Sequence, residues 1–239
     1  MASVNTIHSQ RLPKHVAIVM DGNRRWAKQN KLSEIQGHKA GVSSLRKSVS
    51  FAIKNKIEIL SVFAFSKENW GRGPKWIKEF FSLFISVLDN EIKELHHNNV
   101  KITFIGDREE LSKDLQHKIN ECEQLTANNK LIHLVIAFNY SGRNEIIRAI
   151  QHIIESKIDP KILNENTFNQ YLDTKEIPEP DLFIRTSGEY RISNFLLWQM
   201  SYSEFVFIPN LWPDFSDEDF QYALDEYSKR DRRYGCTNT

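Results

Sequence analysis

Six short runs rich in Val, Ile and Phe, set between longer amphipathic stretches, constrain this chain more than any other feature. They are His15–Met20, Ile57–Phe65, Val100–Gly106, Leu131–Phe138, Asp181–Arg185 and Glu204–Ile208. Near-continuous apolar runs of this length are what strands look like when both faces of a parallel sheet are covered. Between them, apolar residues recur at helical spacing: Val42, Leu45, Val49 and Ile53; Leu111, Leu115, Ile119 and Cys122; Ile146 and Ile150 with Ile153 or Ile154. The alternation predicts an α/β domain, a central, mainly parallel six-stranded sheet flanked by helices on both faces. The last helix is expected to begin at Ser216, where Asp219 completes a capping-box pattern.

A chain of 239 residues is long enough for one large core. Residues 1–12 read as a flexible N-terminal segment and 13–239 as a single domain, with no repeat or linker between. The formal net charge of +1 excludes a global basic field, so nucleic acid is not an expected partner and any anion site is built locally. Cys122 and Cys236 form neither a metal-ligand pair nor a disulfide framework, which fits a reducing cytosol. The first dozen residues are polar, without the apolar core of a secretory signal. The densest apolar stretch, Phe80 to Leu88, is broken by Ser82 and Ser86 and is too short to span a bilayer. The expected location is the cytoplasm, at most peripheral to a membrane.

The helix expected from Trp76 to His96 is apolar around much of its girth. Ile77, Phe81, Phe84, Leu88, Ile92 and Leu95 make one stripe, and Phe80, Leu83 and Val87 widen it. Such a helix is covered on two sides. Either it lies deep in the core, or one face packs on the sheet while the other lines an apolar cavity.

Three polar motifs follow predicted strands, which places them on one sheet edge, where open α/β sheets bind ligands. In Asp21-Gly-Asn-Arg-Arg-Trp-Ala27, a strand ends in an acid and two arginines open a helix. Gly22 lets backbone approach a ligand closely. The helix start with Arg24 and Arg25 suits a phosphate, and Asp21 suits Mg²⁺ held against diphosphate oxygens. The alternative is an Asp N-cap with solvated arginines. Ala64-Phe-Ser-Lys-Glu-Asn-Trp-Gly-Arg72 supplies a hydroxyl, an amide, an aromatic plane and a guanidinium, or is a polar loop anchored by Trp70. Asp181-Leu-Phe-Ile-Arg185 continues to Arg191-Ile-Ser193, with two arginines and a serine able to grip a second anion. Glu204, opening the next strand, is either a second metal ligand or a solvated strand-edge acid.

Taken jointly, these segments resemble one family. Asp21-Gly-Asn-Arg-Arg-Trp-Ala, Gly37-His38-Lys39-Ala40-Gly41, Phe65-Ser66 with Glu68-Asn69-Trp70, Arg185-Thr-Ser-Gly-Glu189, Arg191-Ile-Ser-Asn-Phe-Leu-Leu-Trp198-Gln199 and Leu211-Trp-Pro-Asp214-Phe are similar to the motifs of bacterial undecaprenyl diphosphate synthases, which are cis-prenyltransferases. The resemblance spans about Leu12 to Gly235. The Asp-rich D-D-x-x-D motif of the all-helical trans-prenyltransferases is absent.

The resemblance implies a sheet flanked by helices around a deep hydrophobic tunnel, residues 13–239 as a catalytic domain, and a homodimer. It implies that isopentenyl diphosphate is condensed with an allylic diphosphate, farnesyl diphosphate by expectation, to give a Z,E-polyprenyl diphosphate that passes to membrane lipids as the wall-lipid carrier. By resemblance Asp21 binds Mg²⁺ and is the main catalytic acid, and Asn69 is a proton acceptor. Gly22, Asn23, Arg24, Arg25, Trp26 and His38 line the allylic diphosphate site. Ser66, Lys67, Glu68, Trp70 and Arg72 belong to the loop closing over it. Arg185, Arg191, Ile192 and Ser193 hold isopentenyl diphosphate, and Glu204 joins Asp21 at the metal. Arg233-Tyr-Gly235 is similar to an R-x-G element that reaches the partner subunit's site. Each isoprene unit entering an apolar tunnel gains roughly 4 kcal/mol at ~0.8 kcal/mol per buried CH₂, which favours the cavity reading of the Phe-rich helix.

The chain departs from the family pattern in places. Glu34 stands where an Arg usually touches the allylic diphosphate, and Lys31, where Gly is common, is a partial substitute. Trp76 replaces a Glu, Gly73-Pro74 shifts a proline by one, Tyr190 replaces a His, and Cys236 replaces a Gly. Phe138 replaces a small residue, and a ring there is expected to shorten the product. Two other outcomes stay open: a divergent synthase with a shorter or branched product, and a non-catalytic isoprenoid-binding partner subunit. The presence of Asp21 ranks the last of these lowest.

Overall fold

The structure, a computed structural model, describes residues 12–231. All but Leu12 of the expected N-terminal segment lies outside them, as do Arg233, Gly235 and Cys236. The six expected strands form: β1 (His15–Val19), β2 (Ile59–Ser66), β3 (Val100–Ile105), β4 (Ile132–Tyr140), β5 (Leu182–Arg185) and β6 (Glu204–Phe207). They make one sheet in the order β3-β4-β2-β1-β5-β6. Every pairing is parallel, so the sheet is wholly rather than mainly parallel. The seven α-helices among the described residues are α1 (Asn23–Gln29), α2 (Glu34–Lys54), α3 (Pro74–His97), α4 (Lys113–Thr126), α5 (Gly142–Glu155), α6 (Glu165–Asn169) and α7 (Asp217–Ser228).

Element ends follow local chemistry. The Ile57 N–H donates to Ala52 O and closes the end of α2, so β2 starts two residues later than its apolar run. Pro74 sits in the first turn of α3, where its missing N–H costs nothing, and the helix starts two residues before Trp76. Ser216 and Asp219 form the expected capping box at α7, a device whose loss costs about 1 kcal/mol.

Alternate residues along each strand serve opposite faces. Val16, Ile18, Leu60, Val62, Ile102, Leu134, Leu182 and Ile184 share one cluster with α4 through Leu115 and Ile119 and with α7 through Phe220 and Leu224. Leu45 of α2 and Phe81, Phe84, Ile92 and Leu95 of α3 are only partly buried against this cluster, because a cavity lies there. Ala17, Val19, Val135, Ala137 and Phe183 serve the other face, covered by Phe195, Leu196 and Met200.

From β1 the chain builds the sheet outward through β2, then returns to place β5 on the other side of β1. The exits of β1 and β5 therefore flank the switch point, the crevice where parallel α/β sheets take ligands. Two glycines bring α2 up to that crevice. A Cβ at Gly37 would lie 2.2 Å from Asn23 O, and one at Gly41 2.5 Å from Asn23 Oδ1 and 2.7 Å from the Trp212 ring. Close packing of α2 on α1 and Trp212 carries His38 into the site.

Candidate active site

A cavity of about 960 Å³ opens at the strand exits and runs inward between the sheet, α2 and α3. Its mouth is polar: Asp21, Asn23, Arg24, His38, Ser66, Glu68, Asn69, Arg72, Arg185, Arg191 and Ser193 line it, with Ile192 among them. Its interior is apolar, lined by Val42, Leu45 and Val49 of α2, by Phe80, Leu83, Phe84, Val87, Leu88, Ile92 and Leu95 of α3, and by Val62, Ile102, Leu134 and Ile136 of the sheet. The broad stripe on α3 thus faces a cavity, and a polar entrance leads to an interior that is apolar apart from Arg46 and Glu91.

The strand-exit wall of the mouth is rigid. Gly22, at φ 109°, is the N-cap of α1 and makes no side-chain cap. Asp21 is therefore not an N-cap. Its Oδ1 accepts the Gly22 N–H at 2.7 Å, and its Oδ2 accepts Nη2 of Arg185 at 2.7 Å. The Asp21 backbone carbonyl accepts Thr186 Oγ1 at 2.6 Å and the Trp212 N–H at 2.9 Å. The Arg185 side chain is 4% exposed, and its Nη1 donates to Arg191 O at 2.6 Å and Ser193 Oγ at 2.7 Å. One guanidinium thus joins the acid after β1 to the loop expected to bind the second diphosphate, while its buried Nε has no partner. Arg25 donates to Ser187 and Glu189, and Arg191 also donates to Glu189.

The opposite wall is the 3-10 segment Lys67–Arg72 after β2. Its cap is reciprocal: Ser66 N donates to Asn69 Oδ1 at 3.1 Å, and the Ser66 hydroxyl accepts the Asn69 N–H. Three contacts clasp the segment to the body. Lys67 Nζ is 2.8 Å from both Asp107 and Glu110. Trp70 Nε1 donates to Asn139 Oδ1 at 2.7 Å, and Asn194 Nδ2 donates to Glu68 Oε1 at 3.0 Å. Partial burial penalises the Lys67 ammonium, but the two carboxylates outweigh it and raise its pKa. Asp107 is held below the usual carboxylate range because the Lys67 contact overcomes its own desolvation.

His38 stands edge-on to Trp76 and Phe80, and burial with help from the Arg72 charge lowers its pKa to about 4. Its imidazole is neutral at pH 7, and its Nε2 is buried without a partner. The Arg72 guanidinium lies 4.4 Å over the Trp76 ring. Glu34, the reversed charge of the sequence comparison, turns to Arg24 at 2.9 Å. It therefore orients an arginine of the mouth, a pairing the sequence reading assigned to no residue.

Several expected site residues stand elsewhere. Trp26 is not in the cavity wall; its Nε1 donates to Asp214 at 2.7 Å and fixes α1. Lys67 and Trp70 serve the clasp, outside the lining. Glu204 is not brought to Asp21. It opens β6 level with Leu182, which is level with Val16, so it lies toward the entry end of the sheet while Asp21 follows the exit of β1. Its carboxylate takes Nη1 of Arg230 at 2.8 Å. Strand direction thus sets Asp21 and Glu204 of one subunit at opposite ends of the sheet. Phe138 is also outside the lining: it stacks behind Phe84 at 4.1 Å, and Phe84 forms the wall. Conversely, the sequence reading missed Arg143 and Asn194, which line the mouth, and Arg46 and Glu91, which line the interior. Arg143 follows the exit of β4 and was accessible to the strand-exit argument used for the other motifs.

Among the described residues no group of three or more His, Cys, Asp or Glu side chains is placed to hold a metal. One carboxylate facing a cavity with arginines does suit Mg²⁺, which characteristically takes one or two carboxylates and completes its shell with substrate phosphates and water. The Asp21 side chain is 33% exposed, so its oxygens remain accessible beside Arg185.

Residues 19–235 match the family model described as "Putative undecaprenyl diphosphate synthase". The ditrans,polycis-undecaprenyl-diphosphate synthase, (2E,6E)-farnesyl-diphosphate specific, of Yersinia pseudotuberculosis is 46% identical over 233 residues, 96% of this chain and 92% of that one. Among solved structures, lavandulyl diphosphate synthase from Lavandula x intermedia, in complex with dimethylallyl diphosphate, superposes with a TM-score of 0.89 at 35% identity, covering 94% of this chain and 98% of that one. A probable undecaprenyl diphosphate synthase from Campylobacter jejuni superposes with a TM-score of 0.80, also at 35% identity, covering 94% and 99%.

Proposed function

The chain belongs to the undecaprenyl diphosphate synthase family of cis-prenyltransferases, and from that premise we propose that it is a Mg²⁺-dependent enzyme condensing isopentenyl diphosphate with farnesyl diphosphate to make undecaprenyl diphosphate. The single observation that carries the reading is the union of an arginine-rich mouth with a long apolar interior in one cavity. Two diphosphates need cations and forked donors, and a growing prenyl chain needs a water-free channel.

In this reading Asn23, Arg24 and Arg72 hold the allylic diphosphate, with Glu34 orienting Arg24. Arg185, Arg191 and Ser193 hold isopentenyl diphosphate. Placing the two substrates side by side supplies most of the rate through proximity. Bound to Asp21 and diphosphate oxygens, Mg²⁺ would neutralise charge developing on the leaving group. The allylic C–O bond breaks, C4 of isopentenyl diphosphate bonds to the allylic C1, and a C2 proton leaves to give a Z alkene. Asn69 is a poor base, and its Oδ1 already accepts the Ser66 N–H. It orients the proton path, and the departing diphosphate takes the proton.

A homodimer accords with the exposed apolar row Ile147, Ile150 and Ile154 on α5, which a second copy would cover. No described helix is long and apolar enough to cross a membrane; the reading puts the enzyme in the cytoplasm, passing its product to the bilayer. A cis-prenyltransferase with a shorter or branched product is the second reading, favoured by the likeness to lavandulyl diphosphate synthase. Incubation with farnesyl diphosphate, labelled isopentenyl diphosphate and Mg²⁺, followed by product sizing, decides. A C55 ladder supports the first reading and short products the second. No Mg²⁺-dependent incorporation would sink both and leave a non-catalytic binding subunit.

A further inference from the structure

Among the leucines, isoleucines and valines of the cavity interior stand two charged residues, Arg46 of α2 and Glu91 of α3. Nε and Nη2 of Arg46 donate to both carboxylate oxygens of Glu91, a fork that ties the two helices across the cavity. The Glu91 side chain is 12% exposed, while that of Arg46 is 55% exposed and keeps much of its hydration. The pair is deep. Arg46 lies about 12 Å along α2 from His38, and Glu91 about 16 Å along α3 from Phe80, at ~1.5 Å per residue. Val49, Ile92, Leu95 and Leu134 share that inner end. Nothing in the condensation at the mouth uses an ion pair there.

We propose that the Arg46–Glu91 pair determines product specificity by stopping chain growth, an inference that rests on the prenyltransferase reading of the same cavity. A prenyl chain advancing along an apolar wall gains free energy with every unit. At the pair, the next unit must displace water from a half-exposed guanidinium and cover the carboxylate that it holds. The penalty for desolvating an ion rivals the gain from burying five carbons. Extension past this level stops being favourable, and release competes with it. Product length is then set by an electrostatic collar as well as by the bulk of the cavity floor.

The test uses the full chain with farnesyl diphosphate, labelled isopentenyl diphosphate and Mg²⁺, and sizes the dephosphorylated products. Arg46→Met with Glu91→Leu removes both charges at similar volume, a change that folds tolerate or gain from when the pair goes together. This variant is expected to shift the main product longer by at least one five-carbon unit, with the rate of the first condensation at the mouth unchanged. Arg46→Gln with Glu91→Gln, which keeps a bridge without charge, shifts it the same way and serves if the first variant does not fold. The reversed pair, Arg46→Glu with Glu91→Arg, restores the collar and keeps the parental ladder. An unchanged ladder from a folded neutral variant, or equal lengthening by the reversed pair, overturns the inference while the prenyltransferase reading stands. A parent protein that incorporates no isopentenyl diphosphate overturns both.

Discussion

The two walls of the cavity mouth are built in opposite ways. The wall at the exits of β1 and β5 is fixed by buried bonds: Arg185 is nearly inaccessible and joins Asp21, Arg191 and Ser193, and the Asp21 carbonyl is held by Thr186 and Trp212. The wall formed by Lys67–Arg72 has no buried residue and is attached through side chains to Asp107, Glu110, Asn139 and Asn194. The first wall presents preorganised charge, where rigidity strengthens electrostatic catalysis. The second is a clasp whose few bonds leave opening inexpensive, as substrate entry and product exit require. Substitutions in the first should therefore lower kcat whatever they do to binding, and substitutions in the second should act on binding and release alone.

The largest effect is expected at Asp21. Asp21→Ala removes the carboxylate proposed to face the leaving diphosphate and takes away the ion-pair partner of Arg185. The expected loss in kcat is on the order of 10³-fold, the scale of removing a preorganised electrostatic group, measured as initial incorporation rate at saturating substrates. A loss confined to KM would contradict the division between the walls. Next comes Arg185→Lys, which keeps charge but cannot make the three-way fork. It should raise KM for isopentenyl diphosphate about tenfold or more, as expected for a lost charge-assisted hydrogen bond, and lower kcat as well because Asp21 loses its partner. An unchanged KM for isopentenyl diphosphate would remove Arg185 from that subsite.

The far end of the sheet carries a part of the stability that depends on pH. His15, 2% exposed, bridges Pro178 O at 2.6 Å and Ser61 Oγ at 2.7 Å. Burial lowers its pKa from 6.5 to about 4 against the pull of its Pro178 bond. Below pH 6.5 the unfolded chain takes a proton that the folded one refuses. The stability is thus present above pH 6.5 and is lost as pH falls toward 4. The slope for one such group reaches about 1.4 kcal/mol per pH unit. His15→Gln should reduce the loss between pH 6.5 and 4.5 by roughly 2 kcal/mol in urea titrations. His38 and His133 are lowered in the same direction, also to about 4, so a residual slope remains. An undiminished slope in the variant would show that His15 is not refusing the proton.

The rigid wall was the more legible from sequence, and the reason is local. An apolar run followed by Asp21 or Arg185 marks a strand exit, and parallel strands put all exits on one edge. All six strands follow from their apolar runs, whereas the stripe on α3 leaves deep core and cavity wall both open until the family resemblance favours the cavity. Side-chain pairings across long separations do not follow from such runs. Glu34 carries no mark that it will orient Arg24, nor Lys67 that Asp107 and Glu110 await it forty residues on. Glu204 opens a strand rather than following one, so strand polarity puts it at the entry end, away from Asp21. Glu91 sits within an apolar stripe, where one charge reads as an interruption until its partner on α2 is seen.

The mildest substitution tests the clasp. Trp70 contributes one hydrogen bond to Asn139 and edge contacts to Phe65 and Phe81. Trp70→Phe keeps an aromatic ring and deletes the bond, worth about 1 kcal/mol net. A closed segment less favoured by that amount should raise KM for the allylic diphosphate about fivefold, since apparent affinity falls with the closed fraction. If product release limits turnover, kcat should rise, because the same bond resists opening. Melting temperature should be little changed, since the segment contributes no buried residue. A fall in kcat with unchanged KM would mean that this loop, too, shapes the transition state, and the contrast between a fixed wall and a movable one would not hold.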